Sequence, residues 1–238
     1  MTPDRRPLRL NFWMTVCVVP ALMLLIGLGV WQLQRLEWKE GLIAERTAQL
    51  ALPAVQLSRV PADGWQAFEL RHVEVRGRFL HDRSVEIVSR TLRGRAGVHI
   101  VTPLVLSDGS GTVLVNRGWA PPPGERRADE MWLPDGAVRL EGVLRAGGKT
   151  SAWVPDNEPA NDIWFFADPA AMAAATGLED ARPYIIEAAA DEGDSRFPVG
   201  GQTVTAVRND HLQYAITWFS LAAVLVAIFV LYHVRRRS

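Results

Sequence analysis

Cysteine is almost absent from this sequence, with Cys17 the one instance among 238 residues. A lone cysteine excludes an intrachain disulfide, a metal site built from several cysteines and a copper-carrying cysteine pair. Lysine is nearly as scarce, with 2 lysines against 24 arginines, and this bias favours a bacterial source. The long central part of the chain must therefore be stabilised by burial of apolar side chains, for which its roughly 175 residues are sufficient.

Charge is missing from two stretches near the ends of the chain. Residues 12–31 and 214–232 contain no Asp, Glu, Lys or Arg. Each run has about 20 residues, and at about 1.5 Å per residue it is long enough to cross a hydrocarbon core of about 30 Å. The sequence therefore predicts transmembrane helices at residues 12–33 and 211–234. A cleaved signal peptide is the alternative for the first run, but the run is longer than a usual signal core and no A-x-A site follows it.

The helical pattern of the first run continues past its apolar part. Trp31, Trp38 and Leu42 recur on one helical face, with polar residues elsewhere. The helix is therefore expected to extend several turns beyond the membrane. Its apolar face is expected to pack against the central domain or, alternatively, to bind a partner.

The charges of the chain are segregated between its tails and its central part. The tails, residues 1–11 and 235–238, carry six arginines and one aspartate, a net charge of +5, so the remainder carries −5 because the whole chain has a formal net charge of zero. Short basic tails stay in the cytoplasm. Both termini are thus predicted to be cytoplasmic, and residues 34–210 form a periplasmic (extracytoplasmic) domain of a multi-pass protein in the bacterial inner membrane. An acidic domain argues against nucleic-acid binding.

Signals for β-strands dominate residues 34–210. Apolar and polar residues alternate over 72–79 and again over 138–145. The residues predicted to share the inward face of these two strands are Val73, Val75, Gly77 and Phe79 in the first, and Val138, Leu140, Gly142 and Leu144 in the second. Further strands are predicted at residues 84–89, 98–106, 112–116, 163–166 and 184–187, with a hairpin turn at 108–111.

One short helix is predicted among the strands, at residues 168–177. Asp168 is a suitable N-cap, Pro169 suits the first helical position, and Gly177 suits the position after the last turn. Residues 121–127 and 191–201 are predicted loops. The predicted fold class is thus a membrane protein with two transmembrane helices flanking a mostly antiparallel β domain, a small barrel or sandwich of α+β type.

Motifs for hydrolysis, phosphate binding and zinc binding are lacking. Ser110 lies between two glycines, but in a hairpin turn and not in a strand–turn–helix nucleophile elbow. No phosphate-binding Lys-Ser/Thr pair follows Gly200 and Gly201. The histidines of the domain are not spaced as zinc ligands: His72, His81 and His99. The residues predict a binding module, not an enzyme.

The start of the second apolar run carries the strongest candidate site. If the helix begins after Asn209 or Asp210, one helical face is expected to carry the following five residues: His211, Tyr214, Ala215, Trp218 and Ala222. An imidazole above an aromatic, apolar lane is suited to haem iron. Alternatively, the aromatic residues belong to the interfacial belt of a membrane helix and the histidine is a polar residue at that belt. Taken alone, these residues favour the second interpretation.

Six segments occur in a fixed order along the chain: residues 29–35 (GVWQLQR), 75–79 (VRGRF), 97–104 (GVHIVTPL), 115–121 (VNRGWAP), 198–201 (PVGG) and 208–219 (RNDHLQYAITWF). Together with the two apolar runs, these segments resemble the Surfeit-locus family of cytochrome c oxidase assembly proteins. The similarity covers nearly the whole chain. The NRGW and HLQYAITW stretches are the most specific.

The resemblance implies a membrane-anchored assembly factor for haem-copper oxidase, not an enzyme. Some bacterial members are thought to bind haem a and pass it to the large oxidase subunit. The implied partners are that subunit, the haem a synthesis machinery and membrane lipid. The haem-linked histidine of the family maps onto His211, as axial ligand of the iron, and the neighbouring aromatic onto Trp218, with Tyr214 beside them. A haem-free scaffold for oxidase subunits is the alternative, and a sensor or a hydrolase is less favoured.

Several further roles follow if haem is bound. Arg117 or Arg208 could pair with the haem propionates, although Arg117 is equally suited to a buried ion pair. Gly27 and Gly29 would let the two membrane helices approach closely. Independently of haem, Gly118 is expected to form a turn or bulge after its strand, with Trp119 packing over the barrel end.

Overall fold

The computed structural model describes residues 12–191, 196–203 and 209–235, which divide into two compact units. The first unit contains the chain up to Glu45 together with the C-terminal helix, and the second begins at Arg46 and ends before that helix. The predicted N-terminal tail, Arg208 and all but the first residue of the C-terminal tail lie outside the described residues.

The helices and strands are as follows. The helices are α1 (Phe12–Ala51), α2 (Pro169–Ala175) and α3 (His211–Arg235). The strands are β1 (Val55–Gln56), β2 (His72–Phe79), β3 (Val85–Leu92), β4 (Arg95–Leu106), β5 (Thr112–Ala120), β6 (Ala137–Arg145) and β7 (Ala181–Ala188).

The first unit consists of α3 and most of α1, and both helices are long and apolar enough to cross a membrane. Both begin at the predicted residue. The helix continues without a break from the apolar run of α1 into the predicted extension, so that α1 has 40 residues. Buried and half-buried positions recur on both helices at spacings of three and four, the pattern of helices packed side by side. Positions with this spacing include Leu22, Leu25, Gly29 and Gln32 on α1, and His211, Ala215, Trp218, Ala222 and Leu225 on α3.

Gly29 is the point of close approach between these two helices. A Cβ atom added there would lie 2.7 Å from the ring of Phe219, so only glycine leaves room for that ring. The predicted role of Gly29 is thereby confirmed. The same role predicted for Gly27 was wrong, because a Cβ atom at that position would have no neighbour within 4 Å.

The second unit is a small barrel, as the sequence predicts. Strands pair in the cyclic order β2–β6–β7–β5–β4, and β4 returns to β2 through Leu104–Phe79 and Leu106–Gly77 partners. β3 extends the sheet beyond β4, and β1 pairs with the start of β2. Most pairs are antiparallel, but β5–β7 and β1–β2 are parallel. Closure removes most free strand edges.

The barrel interior is filled by the predicted inward faces of β2 and β6. Val73 and Leu144 are fully buried, and the surrounding cluster includes residues from β4, β5 and β7. A second apolar cluster lies on the other side of β3, β4 and β5, where Met172 of α2 and Trp164 cover the sheet. The N-cap of α2 is confirmed, since Asp168 Oδ1 accepts a hydrogen bond from the Ala171 amide at 3.0 Å.

The strand predicted at residues 163–166 was wrong. This segment makes only isolated bridges, from Ile163 to Glu158 and from Trp164 to Ile87. The side-chain oxygen of Asn157 accepts hydrogen bonds from the amides of Phe165 and Phe166, at 2.8 and 3.3 Å. Because a side chain satisfies these backbone groups locally, they do not take part in a ladder.

Candidate functional site

The candidate site lies at the start of α3, where His211 contacts α1. Nδ1 of His211 lies 2.7 Å from Oε1 of Gln32, a residue 179 positions earlier in the chain. Gln32 is buried, with 9% of its surface exposed, whereas the imidazole is half-buried. Within the residues that the structure describes, Nε2 of His211 has no hydrogen-bond partner. A half-buried imidazole is therefore tethered through one nitrogen and left open at the other.

The start of α3 places His211 in the first helical turn. α3 begins at His211, directly after Asp210, and the Tyr214 amide donates to the Asp210 carbonyl at 3.2 Å, closing the first turn. This agrees with the predicted helix start. Arg208, predicted as a partner of haem propionates, lies outside the described residues.

The residues on the predicted face of α3 differ in their exposure. Ala215 and Ala222 are buried, and Trp218 is half-buried on the same side as His211. Tyr214 is 55% exposed, because one helical position corresponds to a rotation of about 100° away from Ala215. Tyr214 therefore lies at the exposed edge of the predicted face. The remaining four residues do lie together.

Two residues that contact this site were missed by sequence reasoning. Phe219 packs its ring over Gly29, and Gln32 bonds to His211. The sequence does contain an indication of Gln32. Leu22, Leu25 and Gly29 are three and four residues apart, and Gln32 is an uncharged polar residue at the next position of this helical repeat. Its partner could not be read from this spacing.

Arg117 lies on β5 in the barrel unit. It is on the same side of this strand as the buried residues Val113 and Val115 and points into the interior. It is 4% exposed. Burial lowers the pKa of Arg117 to about 10, which leaves the guanidinium protonated at neutral pH. Among the described residues no carboxylate forms an ion pair with it, so the predicted buried ion pair is not found.

Aromatic rings and two hydrogen-bond acceptors surround this guanidinium instead. Its central carbon lies 4.8 Å from the ring centre of Phe79 and 5.2 Å from that of Trp132. Nη2 donates to the Trp132 carbonyl, and Nη1 lies 3.4 Å from Nδ1 of His81. Cation–π attraction and these bonds compensate for part of the cost of burial. Arg117 is therefore enclosed on several sides in this structure.

The predicted bulge is confirmed at Gly118, which lies within β5 because this strand continues to Ala120. This residue has φ = +110°, a Cβ atom there would overlap the Val199 carbonyl, and the register of β4 and β5 shifts between Ile100 and Val101. Trp119 is buried and packs edge-to-face on Phe197, with ring centres 5.8 Å apart.

His99 is a half-buried histidine of the barrel unit. Burial, together with the charge of Arg90, lowers the pKa of His99 from 6.5 to about 4. Its Nδ1 lies 3.2 Å from the side-chain nitrogen of Asn116, whose oxygen accepts the Gly118 amide. His99 thus takes part in the hydrogen-bond network that stabilises the bulge at Gly118. With a pKa of about 4, it is neutral at physiological pH.

The donor chemistry of the described residues suits a ligand that needs one protein donor. No group of three or more His, Cys, Asp or Glu side chains is close enough to hold a metal ion in residues 12–191, 196–203 and 209–235. A haem iron needs a single axial imidazole from the protein, since the porphyrin supplies the equatorial nitrogens. His211 with an open Nε2 fits this requirement.

Comparison with known proteins relates these features to one family. The model described as SURF1 family matches residues 19–223, a range that includes Gln32, Arg117 and His211. The SURF1-like protein of Monosiga brevicollis is 39% identical over 219 residues, covering 86% of this chain and 81% of that protein. Surfeit locus protein 1 of Rattus norvegicus is 36% identical over 230 residues, covering 88% and 72%. The Homo sapiens protein of the same name is 35% identical over 218 residues, covering 83% and 70%.

Proposed function

Because this chain belongs to the SURF1 family, whose membership implies a role in cytochrome c oxidase assembly, we propose that it binds haem a through His211 and aids its insertion into the large oxidase subunit. The protein acts as a carrier and not as an enzyme. Haem a is its cargo, received from the synthesis machinery and held transiently.

The open ring nitrogen of His211 is the observation that carries this proposal. The imidazole is anchored through Nδ1 to Gln32, and its other nitrogen has no partner among the described residues. Haem supplies an iron that accepts such a nitrogen as axial ligand. The interfacial-belt interpretation explains an exposed Tyr214, but it does not require a histidine held by a buried amide.

The surroundings of His211 suit an apolar macrocycle. Trp218 is half-buried about two helical turns after His211, and Tyr214 is exposed between them in the sequence. The apolar surface of α3 would lie against the farnesyl tail of haem a, which is buried most favourably in an apolar environment. Trp218 would border one side of the porphyrin and Tyr214 its lipid-facing edge.

We also propose that an arginine pairs with the haem propionates. Arg208 is a simpler candidate for this pairing than the enclosed Arg117. Arg208 is three positions before the start of α3 in the sequence. Arg117 would first have to leave the enclosure formed by Phe79, Trp132 and the Trp132 carbonyl. The structure favours a structural role for Arg117.

The proposed location is a bacterial inner membrane, with both termini in the cytoplasm and the barrel unit in the periplasm. The two membrane-length helices support membrane association, and the arginine-rich tails support this orientation. Accessibility labelling of residues in the barrel unit from the periplasmic side tests the orientation directly.

The deciding experiment is purification of His211→Ala from cells that make haem a. We expect most of the haem to be lost while the protein stays in the membrane fraction. Gln213→Ala is the matched control, because Gln213 is an exposed polar residue two positions further along the same helix. An unchanged haem content in His211→Ala would show that another group ligates the iron.

The same preparation separates the carrier from a haem-free scaffold. A scaffold would support oxidase assembly in cells, but no haem would co-purify with the wild-type protein. Assembly is measured by comparing the oxidase spectrum of a deletion strain with that of the complemented strain. Co-purification of haem with wild type and its loss in His211→Ala is the result that supports the carrier.

A further inference from the structure

We infer that Gln32 is a positioning residue for His211, holding its imidazole as the Nδ1–H tautomer so that the Nε2 lone pair faces a ligand. The consequence for haem rests on the proposed function. The tautomer itself is a property of the ligand-free chain and can be measured without haem.

The orientation of the Gln32 amide decides which tautomer His211 adopts. Nδ1 of His211 lies 2.7 Å from Oε1 of Gln32, and an amide oxygen can only accept a hydrogen bond. With that oxygen facing it, Nδ1 carries the hydrogen, and in a neutral ring the lone pair is then on Nε2. With the amide in the opposite orientation its nitrogen would donate to Nδ1, and the hydrogen would then block Nε2.

The location of Gln32 gives this bond its significance. Gln32 is buried on the face of α1 that also carries Gly29 and contacts α3. A side-chain amide is costly to bury among apolar residues unless it is hydrogen-bonded, and an apolar residue would pack at this position without that cost. The bond to His211 explains why an amide is present here.

A ligating histidine commonly donates its second ring N–H to an oxygen acceptor. Such a partner fixes the tautomer, orients the ring and makes the ligating nitrogen a stronger donor. Loss of such a partner typically weakens metal binding about 10- to 100-fold. Gln32 supplies this acceptor from the other helix, so formation of the ligand site requires that α1 and α3 be paired.

The direct test is nitrogen NMR of the haem-free full-length protein labelled at its histidine rings. The sequence contains five histidines, and the His211 signals are assigned by their loss in His211→Ala. We expect His211 to be mainly the Nδ1–H tautomer in wild type. In Gln32→Met, which keeps an unbranched side chain of similar length without the acceptor, we expect the Nε2–H tautomer to increase.

Two further variants separate positioning from a general effect on the helix. Gln34→Met makes the same change at an exposed position of α1 two residues away, and we expect it to leave the His211 signals unchanged. Gln32→Glu keeps an oxygen acceptor, and we expect it to retain the Nδ1–H tautomer. Rescue by Gln32→Glu would not occur if Gln32 served only to pack the helices.

Haem titration then measures the consequence for the ligand. We expect Gln32→Met to bind haem about 10- to 100-fold more weakly than wild type and than Gln34→Met, with a shifted iron reduction potential. The inference is overturned if wild-type His211 is mainly the Nε2–H tautomer, or if Gln32→Met leaves the tautomer unchanged.

The failure of this inference and that of the proposed function give different results. If the tautomer depends on Gln32 but wild type binds no haem, the positioning role stands and the haem function is wrong. If His211→Ala loses haem but the tautomer does not respond to Gln32→Met, the haem function stands and the positioning role is wrong.

Discussion

The helix unit and the barrel unit each bury a polar side chain near a histidine, but they leave the histidine in different states. In the barrel, both ring nitrogens of His81 are occupied, Nδ1 facing Arg117 and Nε2 lying 3.0 Å from the Pro134 carbonyl. In the helix unit, Gln32 occupies Nδ1 of His211, and Nε2 has no partner among the described residues. A histidine with both nitrogens occupied stabilises a fold, whereas one with an open nitrogen can bind a ligand.

The largest expected effect is in the barrel unit, where Arg117 is enclosed. Arg117→Ala should remove the guanidinium between two rings, leave a cavity and free the Trp132 carbonyl, and so lower the free energy of unfolding by about 3–5 kcal/mol. Denaturant unfolding of the full-length protein, followed by tryptophan fluorescence, measures this loss. Arg139→Ala is the control, because Arg139 is paired with Glu74 at an exposed position and should change stability by less than about 1 kcal/mol. Equal effects would contradict a structural role for Arg117.

The next largest effect is expected in the helix unit, where one ring nitrogen of His211 is open. Gly29→Leu places a side chain where the Phe219 ring lies, so the contact between α1 and α3 should be destabilised by about 1–3 kcal/mol through overpacking. Haem retention by the purified protein should fall with it, since the Gln32–His211 bond depends on that contact. Gly27→Leu should be tolerated because nothing lies within 4 Å of the added Cβ atom. Equal haem contents in the two variants would disprove the importance of the Gly29 approach.

A smaller effect concerns the pH dependence of the barrel. The pKa of His99 is about 4 in the folded chain, lowered from 6.5, so the unfolded chain takes up a proton more readily. The stabilisation is complete above pH 6.5 and is lost as the pH falls towards 4. Allowing for partial solvent exposure, the loss is about 1–2 kcal/mol. Thermal unfolding across this range should show a slope that His99→Gln reduces.

The smallest expected effect is at the N-cap of α2. Asp168→Ala removes the acceptor for the Ala171 amide and should cost about 1 kcal/mol. Asp168→Asn keeps a side-chain oxygen and should retain most of the stability. The midpoint of thermal unfolding distinguishes the two variants, and an equal loss in both would indicate that the charge, and not the acceptor, is what stabilises the helix.

Local patterns in the sequence predicted most elements of both units. Alternation located β2 and β6 and their inward faces, and capping residues located α2. The same reasoning failed at residues 163–166, where an apolar run looked like a strand but Asn157 satisfied its amides. A short run of apolar residues does not reveal what a side chain several positions earlier will bond.

Long-range pairings could not be predicted from local patterns. Closure of the barrel depends on β2 meeting β4 and on parallel pairing of β5 with β7. The candidate site likewise joins two residues 179 positions apart. The sequence indicated His211 through its position at the start of an apolar helix, but it gave no indication of its partner, since a glutamine in a long helix has many possible roles.

The segment at residues 163–166 has a consequence for how separate copies of the protein behave. β3 is the outermost long strand of the sheet, and the outer edge of such a strand invites edge-to-edge association between molecules. The Val88 amide instead donates to the Trp164 carbonyl at 2.8 Å. Ser89, with φ = +59°, lies in the register shift between Ile87 and Arg90 and interrupts the regular edge. The irregular segment and the bulge thus shorten the stretch of β3 backbone with which a second chain could pair. They protect the barrel from aggregation at β3, the strand that lies outside the closed ring.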